Sequence, residues 1–352
     1  MATGSRTPTR HAITLQRVLR DMVRAGCRYC FMEVTSHAID QRRFAGVDFA
    51  GGIFTNLDRE HLDYHGTLDA YAAVKKRFFT ELPCSAFALS NTGDVRGRFM
   101  VEAARARVAY YGAGNDALLP WSVERYDEHG MDVRIGPHRA RTRLIGEHNA
   151  ANLAADVTAA TLLGEDLERV VAATPRLRGA PGRMQPVTAG PVLGIVDYAH
   201  TPAALRVALA TARRLRPDGR LIVVGGCGGD RDTQKRPDMG ALIATADTPI
   251  FTSDNPRTED PQAIVEAMLS GVPPAGRARV HVELNRHRAI RLAASVAEAG
   301  DIVLVTGKGH ETAGHKHPFD DRVELNAALR GASTRACATG LRPDTRNSQR
   351  CN

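Results

Sequence analysis

The sequence predicts an α/β fold: one parallel sheet domain followed by a second, doubly wound parallel sheet. Three observations point there. Short apolar runs such as GGIFTNL (51–57), LIVVGG (221–226) and DIVLVTG (301–307) recur along the chain, as buried parallel strands do. Most are followed by stretches with helical spacing, which argues for parallel strands covered on both faces. Asp, Glu, His, Arg and Gly crowd just after the runs, where open α/β sheets bind their ligands.

In chain order, Leu15, Val18, Leu19 and Met22 fall at helical spacing, with Gly26 as the residue that ends the helix. CFMEV (30–34) predicts a buried strand over 28–34 that delivers Glu33 to its C-terminal edge. A strand over 50–57 empties into a loop carrying Asp58, Glu60, His61, Asp63 and His65. Thr67 or Asp69 then caps a helix over 68–82 that holds Lys75. Strand 85–91, helix 94–105 and strand 107–111 continue the alternation, and 121–144 reads as an antiparallel patch at the sheet edge. A long helix opens at Leu144 and runs to Gly164. The Gly/Pro-rich LRGAPGRMQPV (177–187) predicts a hinge, giving domains at 1–186 and 187–330. Strands over 194–200, 221–226, 248–254, 279–284 and 301–307 alternate with helices in the second domain. The tail, 331–352, holds four Arg and one Asp and is expected to be disordered.

Composition narrows the function. In 352 residues, 43% are apolar and 24% charged, and no apolar run approaches the roughly 18 residues that cross a bilayer. MATGSRTPTRH lacks an apolar signal region, so a cytoplasmic protein is expected. The six cysteines form no disulfide framework, and Cys27-x-x-Cys30 reads as core rather than zinc or redox. The net charge of +8 is scattered and aromatics are 5%, so no nucleic-acid platform is visible; anionic nucleotide substrates account for the balance equally well.

Acid, imidazole and lysine at Glu33, His61 and Lys75 converge on one strand edge, a set suited to phosphate and Mg²⁺. The plainer alternative is a solvated loop beside an exposed helix face. Asn149 and Asn152 share a helix face and suit an adenine edge or ordinary capping. Asp197 in VDYAHTP suits a ribose hydroxyl pair or a helix cap. GCGGDRDTQKRP brings glycine amides together with Arg231 and Arg236, SDNPRTEDP brings Asn255, Pro256 and Arg257, and GKGHE brings Glu311. Guanidinium groups want a carboxylate and Glu311 an ammonium, so a zwitterionic amino acid fits both.

EVTSHA, FTNLxxxHLDYHG, the helix with AVKK, GEHNAAN, PGR, DYAHTP, DNPR and GKGHE together resemble the Mur ligases, from about Gln16 to Leu329. These are ATP-dependent amide-bond-forming enzymes of peptidoglycan precursor synthesis. The pattern is most similar to members that add meso-diaminopimelate to UDP-N-acetylmuramoyl-L-alanyl-D-glutamate. The resemblance implies a central ATPase-type domain and a C-terminal Rossmann-like domain. It implies Mg²⁺ held by Glu33, His61 and a carbamylated Lys75, which together form the catalytic group. It implies that Thr35, Gln41 and Arg43 hold the UDP-muramoyl dipeptide. Arg231, Asp254, Asn255, Pro256, Arg257, Gly307 and Glu311 would hold diaminopimelate, and Asn149, Asn152, Arg183, Asp197 and His200 the nucleotide. An acyl phosphate and then a tetrahedral intermediate would follow, in a monomer with no nucleic-acid or membrane partner.

The sequence departs from the family in two places. Gln185 stands where an acid is common, and no GxxxxGK[ST]-type or GTNGKT-type phosphate loop occurs anywhere in the chain. An incomplete central domain with little ligase activity by itself is therefore expected. Two readings stay open: a ligase needing the missing residues in trans, as one half of a split enzyme, or a non-catalytic binding partner.

Overall fold

The structure is a computed structural model and describes residues 11–310 and 319–338. The chain divides into two compact units, residues 1–125, 132–142 and 147–176 in the first and 126–131, 143–146 and 177–352 in the second. The main division falls at 176/177 rather than near 187.

Helices α1 (Ala12–Arg24) and α2 (Ser36–Asp40) lead into strand β1 (Gly51–Phe54). Helices α3 (Leu62–His65) and α4 (Leu68–Thr80), strand β2 (Phe87–Asn91), helix α5 (Gly97–Val101) and strand β3 (Arg107–Tyr111) follow. The three strands pair in parallel in the order β1-β2-β3. Phe54, Ala72, Phe78, Phe79, Met100 and Val101 pack one face; Phe87, Leu89, Ala109 and Tyr111 pack the other. As expected, Thr67 caps α4, its hydroxyl accepting from the Ala70 amide at 3.1 Å.

Three expectations fail here. Residues 28–34 form no strand among the described residues, and Phe31 is left 74% exposed. Cys27 and Cys30 are accordingly exposed and not core. The helix predicted over 94–105 shrinks to α5, because Asp94 accepts from the amides of Arg96 and Leu57 and offers the backbone a turn instead.

Strands β4 (Trp121–Asp127), β5 (Gly130–Ile135) and β6 (His138–Thr142) form a separate three-stranded sheet, not an edge of the parallel one. Helices α6 (Glu147–Leu162) and α7 (Leu167–Ala173) come next, and Ala155 and Ala159 of α6 join the second face of the parallel sheet.

The second unit begins with β7 (Gln185–Thr188), antiparallel to β8 (Leu193–Asp197), which is why residues 177–187 belong to it. Helix α8 (Pro202–Leu215), β9 (Leu221–Gly225), α9 (Arg236–Ile243), β10 (Thr248–Phe251), α10 (Pro261–Ser270) and the short α11 (Pro274–Arg277) continue it. β11 (His281–Val282), α12 (Arg286–Val296), β12 (Ile302–Thr306) and α13 (Asp321–Ala338) complete it. The sheet order is β11-β10-β9-β12-β8-β7. Strand alternation sends Leu193, Ile195, Val223 and Leu304 to the face covered by α8, α9 and α10. Val196, Val224, Val303 and Val305 go to the face covered by α12 and α13. Helix α13 runs to Ala338, so the tail expected from 331 is helical over its first residues, and 339–352 lie outside the described residues. Among the described residues, no helix is long and apolar enough to cross a membrane.

Candidate active site

In the first unit, the helix-borne Lys75 and the loop after β1 meet around one aromatic ring. Tyr71 is 6% exposed and lies one helical turn before Lys75, whose Nζ sits 5.3 Å from the ring centroid. His61 meets the same ring edge-on at 6.1 Å, and His65 stacks on it at 5.1 Å. His37 lies against His61, Tyr64 and His65, at 5.0, 4.3 and 5.7 Å. His61 adopts a left-handed backbone (φ 57°) at the start of α3, which turns its ring into this group.

The electrostatics are those of an acidic pocket around a buried amine. Burial pushes the Lys75 ammonium down from its ordinary range, and Glu33 and Glu60 pull it part of the way back. Burial, then Glu60, Glu33 and Asp58, push the Tyr71 phenol well up. Glu33 thus acts on Lys75, and His61 shares the Tyr71 ring with it. His37 and Tyr71 are the additions; the helical spacing of Tyr71 and Lys75 was the available signal.

The expected dipeptide residues lie beside α2. The Thr35 hydroxyl accepts from the Ala38 amide at 3.2 Å and so caps that helix. Arg43 donates to Gln41 Oε1 from Nε at 2.9 Å and from Nη2 at 2.6 Å. On α6, Asn149 is half-buried and Asn152 exposed.

In the second unit, the strand ends of β8, β9, β10 and β12 gather the remaining candidates. Asp197 lies at the end of β8. It is 7% exposed, Oδ2 accepts from the Met184 amide at 2.7 Å, and Oδ1 accepts from the Ala199 amide at 2.8 Å. Oδ2 thereby ties the PGR loop to the end of β8, and Oδ1 closes a turn just after it. Next to it, the Arg183 guanidinium lies 4.4 Å over the Tyr198 ring, which also meets His200 at 4.7 Å and His310 at 5.7 Å. Gln185, in place of the family's acid, accepts from the Gly182 amide at 2.8 Å.

The loops after β9 and β10 brace each other. Gly229 N donates to Asn255 O at 2.9 Å, and Arg257 Nη1 donates to Gly229 O. A Cβ on Gly229 would meet Pro256 O at 1.9 Å, so only glycine allows this approach. Arg236 is not a ligand-facing group: it is 4% exposed and forks onto Glu259 at 2.7 and 2.9 Å. That contact, with the Asp230 amide, holds the Glu259 carboxyl below its ordinary range. Arg231 and Arg257 are both exposed on these loops. Asp254 is 9% exposed and lies 3.8 Å from buried Lys308, with Gly307 packed against its Oδ2. Glu311 lies outside the described residues.

Residues 2–160 match the Mur ligase middle domain, and residues 182–309 the glutamate ligase domain of Mur ligases. A UDP-N-acetylmuramoyl-L-alanyl-D-glutamate--2,6-diaminopimelate ligase of Cytophaga hutchinsonii is 45% identical over 327 residues, covering 91% of this chain and 67% of the relative. The protein of the same description from Bacteroides thetaiotaomicron is 43% identical, over 90% of this chain and 68% of its own length. A solved structure with that description matches at a TM-score of 0.63 and 38% identity, covering 92% of this chain and 69% of the other. The chain belongs to the Mur ligase family, whose members are ATP-dependent ligases.

Proposed function

We propose that this chain serves the ligation named for those relatives, joining 2,6-diaminopimelate to UDP-N-acetylmuramoyl-L-alanyl-D-glutamate at the expense of ATP in the cytoplasm, with weak turnover by itself because its sequence supplies no phosphate loop. The observation that carries the choice of amino acid is the braced loop pair 228–231 and 254–257, which presents Arg231 and Arg257 on the sheet's ligand-binding edge. The meso isomer offers a second carboxylate to Arg257; L-lysine would forgo that charged hydrogen bond, worth about 1.5–3 kcal/mol.

In the reaction, the D-glutamate γ-carboxylate oxygen attacks the γ-phosphorus of ATP and ADP leaves. The diaminopimelate amine then attacks the acyl carbon, loses its proton, and inorganic phosphate departs. Thr35, Gln41 and Arg43 would hold the dipeptide, Arg43 pairing with its carboxylate or a phosphate. Asn149, Asn152, Arg183 and His200 would hold the nucleotide. Asp254, Asn255, Pro256, Gly307 and Glu311 would complete the amino-acid pocket.

The first-unit residues fit Mg²⁺ on one condition. Among the described residues no three His, Cys, Asp or Glu stand close enough together to hold an ion. A carbamate on Lys75 would add an anionic donor to Glu33 and His61. The depressed basicity of Lys75 favours the neutral amine that such a modification needs. When bound, Mg²⁺ would neutralise charge on the transferring phosphoryl group.

The test supplies the purified chain with ATP, Mg²⁺, the UDP-muramoyl dipeptide and either meso-diaminopimelate or L-lysine, and follows ADP and product mass. Slow product formation with diaminopimelate, and at least about tenfold less with lysine, is expected. Equal use of lysine refutes the assignment. Diaminopimelate binding with no turnover, even after a phosphate-loop fragment of a Mur ligase is added in trans, assigns the chain to the non-catalytic binding class instead.

A further inference from the structure

We infer that the buried Arg286–Asp321 ion pair is a positioning device for the amino-acid pocket, acting on the end of β12 from below. Both side chains have 0% exposure. Arg286 Nε donates to Asp321 Oδ1 at 2.8 Å and Nη2 to Oδ2 at 2.7 Å, a two-pronged contact between the first residue of α12 and the first of α13. Nη2 also donates to the Thr306 carbonyl at 2.8 Å. Thr306 is the last residue of β12, and the pocket residue Gly307 and then Lys308 follow it directly.

The link continues upward. Gly307 has a left-handed backbone (φ 107°), and a Cβ there would stand 2.6 Å from Asp254 Oδ2. Lys308, 1% exposed, lies 3.8 Å from Asp254 Oδ1, and Asp254 opens the DNPR loop. Four buried charges, two of each sign, thus connect α12, α13 and the loops after β10 and β12. Balanced in this way they avoid the cost of an isolated buried charge.

Stability is a weak reason for such a pair. Replacing both partners of a buried ion pair by apolar residues is often neutral or better. What apolar residues cannot provide is direction. A planar guanidinium held at two points has its remaining donors fixed in space, and one of those donors sets the Thr306 carbonyl. Arg286 and Asp321 touch no reacting atom in this scheme; they act through Thr306, Gly307 and Asp254. The geometry stands by itself, and only the identity of the ligand rests on the ligase reading.

The test compares the intact chain with Arg286→Met/Asp321→Leu, which leaves no unpaired charge, and with Arg286→Lys. Asp321→Asn is avoided because it strands a buried guanidinium and can fail to fold. In the double variant, amide exchange over 302–310 and 252–258 should quicken about tenfold or more, the equivalent of one hydrogen bond to a charged group. Residues 286–296 should keep their protection, and Arg286→Lys should fall between. Unchanged exchange at 302–310, or the same acceleration throughout the second unit, overturns the inference. Calorimetry with meso-diaminopimelate then separates the two readings. Weaker binding by the double variant, with ATP binding unchanged, supports both. A wild-type chain that binds no diaminopimelate, yet whose double variant shows the local exchange pattern, refutes the ligand and supports the positioning role.

Discussion

Gly182→Ala is the sharpest test of how the PGR loop is held. Gly182 adopts φ +67°, and a methyl there would stand 2.3 Å from Gly309 C, 2.4 Å from His310 N and 2.5 Å from Gly309 Cα. All three atoms are backbone, so no side chain can swing away. An alanine in a left-handed conformation costs about 1–2 kcal/mol. Forcing extra volume into a packed contact costs about 1–3 kcal/mol. The sum is about 2–5 kcal/mol, or roughly 4–20 °C in Tm for a unit of this size. Two controls in the same unit separate the effects. Gly300→Ala carries the left-handed cost alone, with φ +96° and nothing within 4 Å. Gly240→Ala carries the steric cost alone, its methyl 2.0 Å from Met268 O. Thermal unfolding followed by circular dichroism and by intrinsic fluorescence ranks the three. If Gly182→Ala costs no more than Gly300→Ala, the packing of the PGR loop on Gly309 is not as described and the reasoning fails.

Three further outcomes follow from the same geometry. Arg257→Ala should lose the donor to Gly229 O and, on the ligase reading, cut the preference for diaminopimelate over L-lysine by about tenfold or more; competition kinetics with both amino acids would reveal an unchanged ratio if the reading is wrong. Asp301 receives the Arg220 side chain at 2.7 Å and the Arg220 and Glu298 amides at 3.0 and 2.8 Å. Burial raises its carboxyl, but these donors outweigh burial and hold it below its ordinary range, so its stabilisation is present above the unfolded value near 3.8 and is lost as pH falls through the folded one. Asp301→Asn should therefore flatten the acid limb of the stability curve and cost about 1.5–3 kcal/mol at neutral pH, measured by urea melts. Burial pushes the Cys227 thiol up to about 12 from 9.0. Its folded state then keeps a proton that the unfolded chain loses, so stability from this group falls as pH rises from 9 towards 12, and at pH 8 iodoacetamide should label Cys27, Cys30 and Cys84 well before Cys227.

The buried parallel strands were the most legible part of the chain. β9 and β12 fall within the predicted runs, because a strand covered on both faces needs apolar residues at nearly every position. The run 28–34 shows the limit of that signal: its apolar content suggests a buried strand, yet Phe31 is 74% exposed there. Motifs located Glu33, His61 and Lys75, yet the rings that surround them come from positions 37, 64, 65 and 71, and no spacing rule links His37 to His61. Asp197 is a similar case. Its residue type and strand-end position suit a ribose, and only the Met184 amide, from the preceding loop, shows where one of its oxygens is spent. The Arg286–Asp321 pair joins residues 35 apart in sequence, and neither sits in a motif that would mark it.

The strand-end loops of the second unit divide their charges between bracing and display. Arg236 is spent on Glu259, and Asp230 accepts from the Thr258 hydroxyl at 2.8 Å while adopting a left-handed φ of 50°. Arg257 shares that backbone region at φ 51° and anchors one guanidinium nitrogen on Gly229 O. Two non-glycine residues held left-handed in adjoining loops cost free energy, which the cross-loop hydrogen bonds offset. A strained, mutually braced pair of loops has little freedom left to lose when a ligand arrives, and lower ordering cost on binding is worth affinity. Arginine rather than lysine at 257 follows from the same economy of motion, since a planar fork anchored at one nitrogen keeps its other donors aimed, whereas an ammonium on a flexible stem would not.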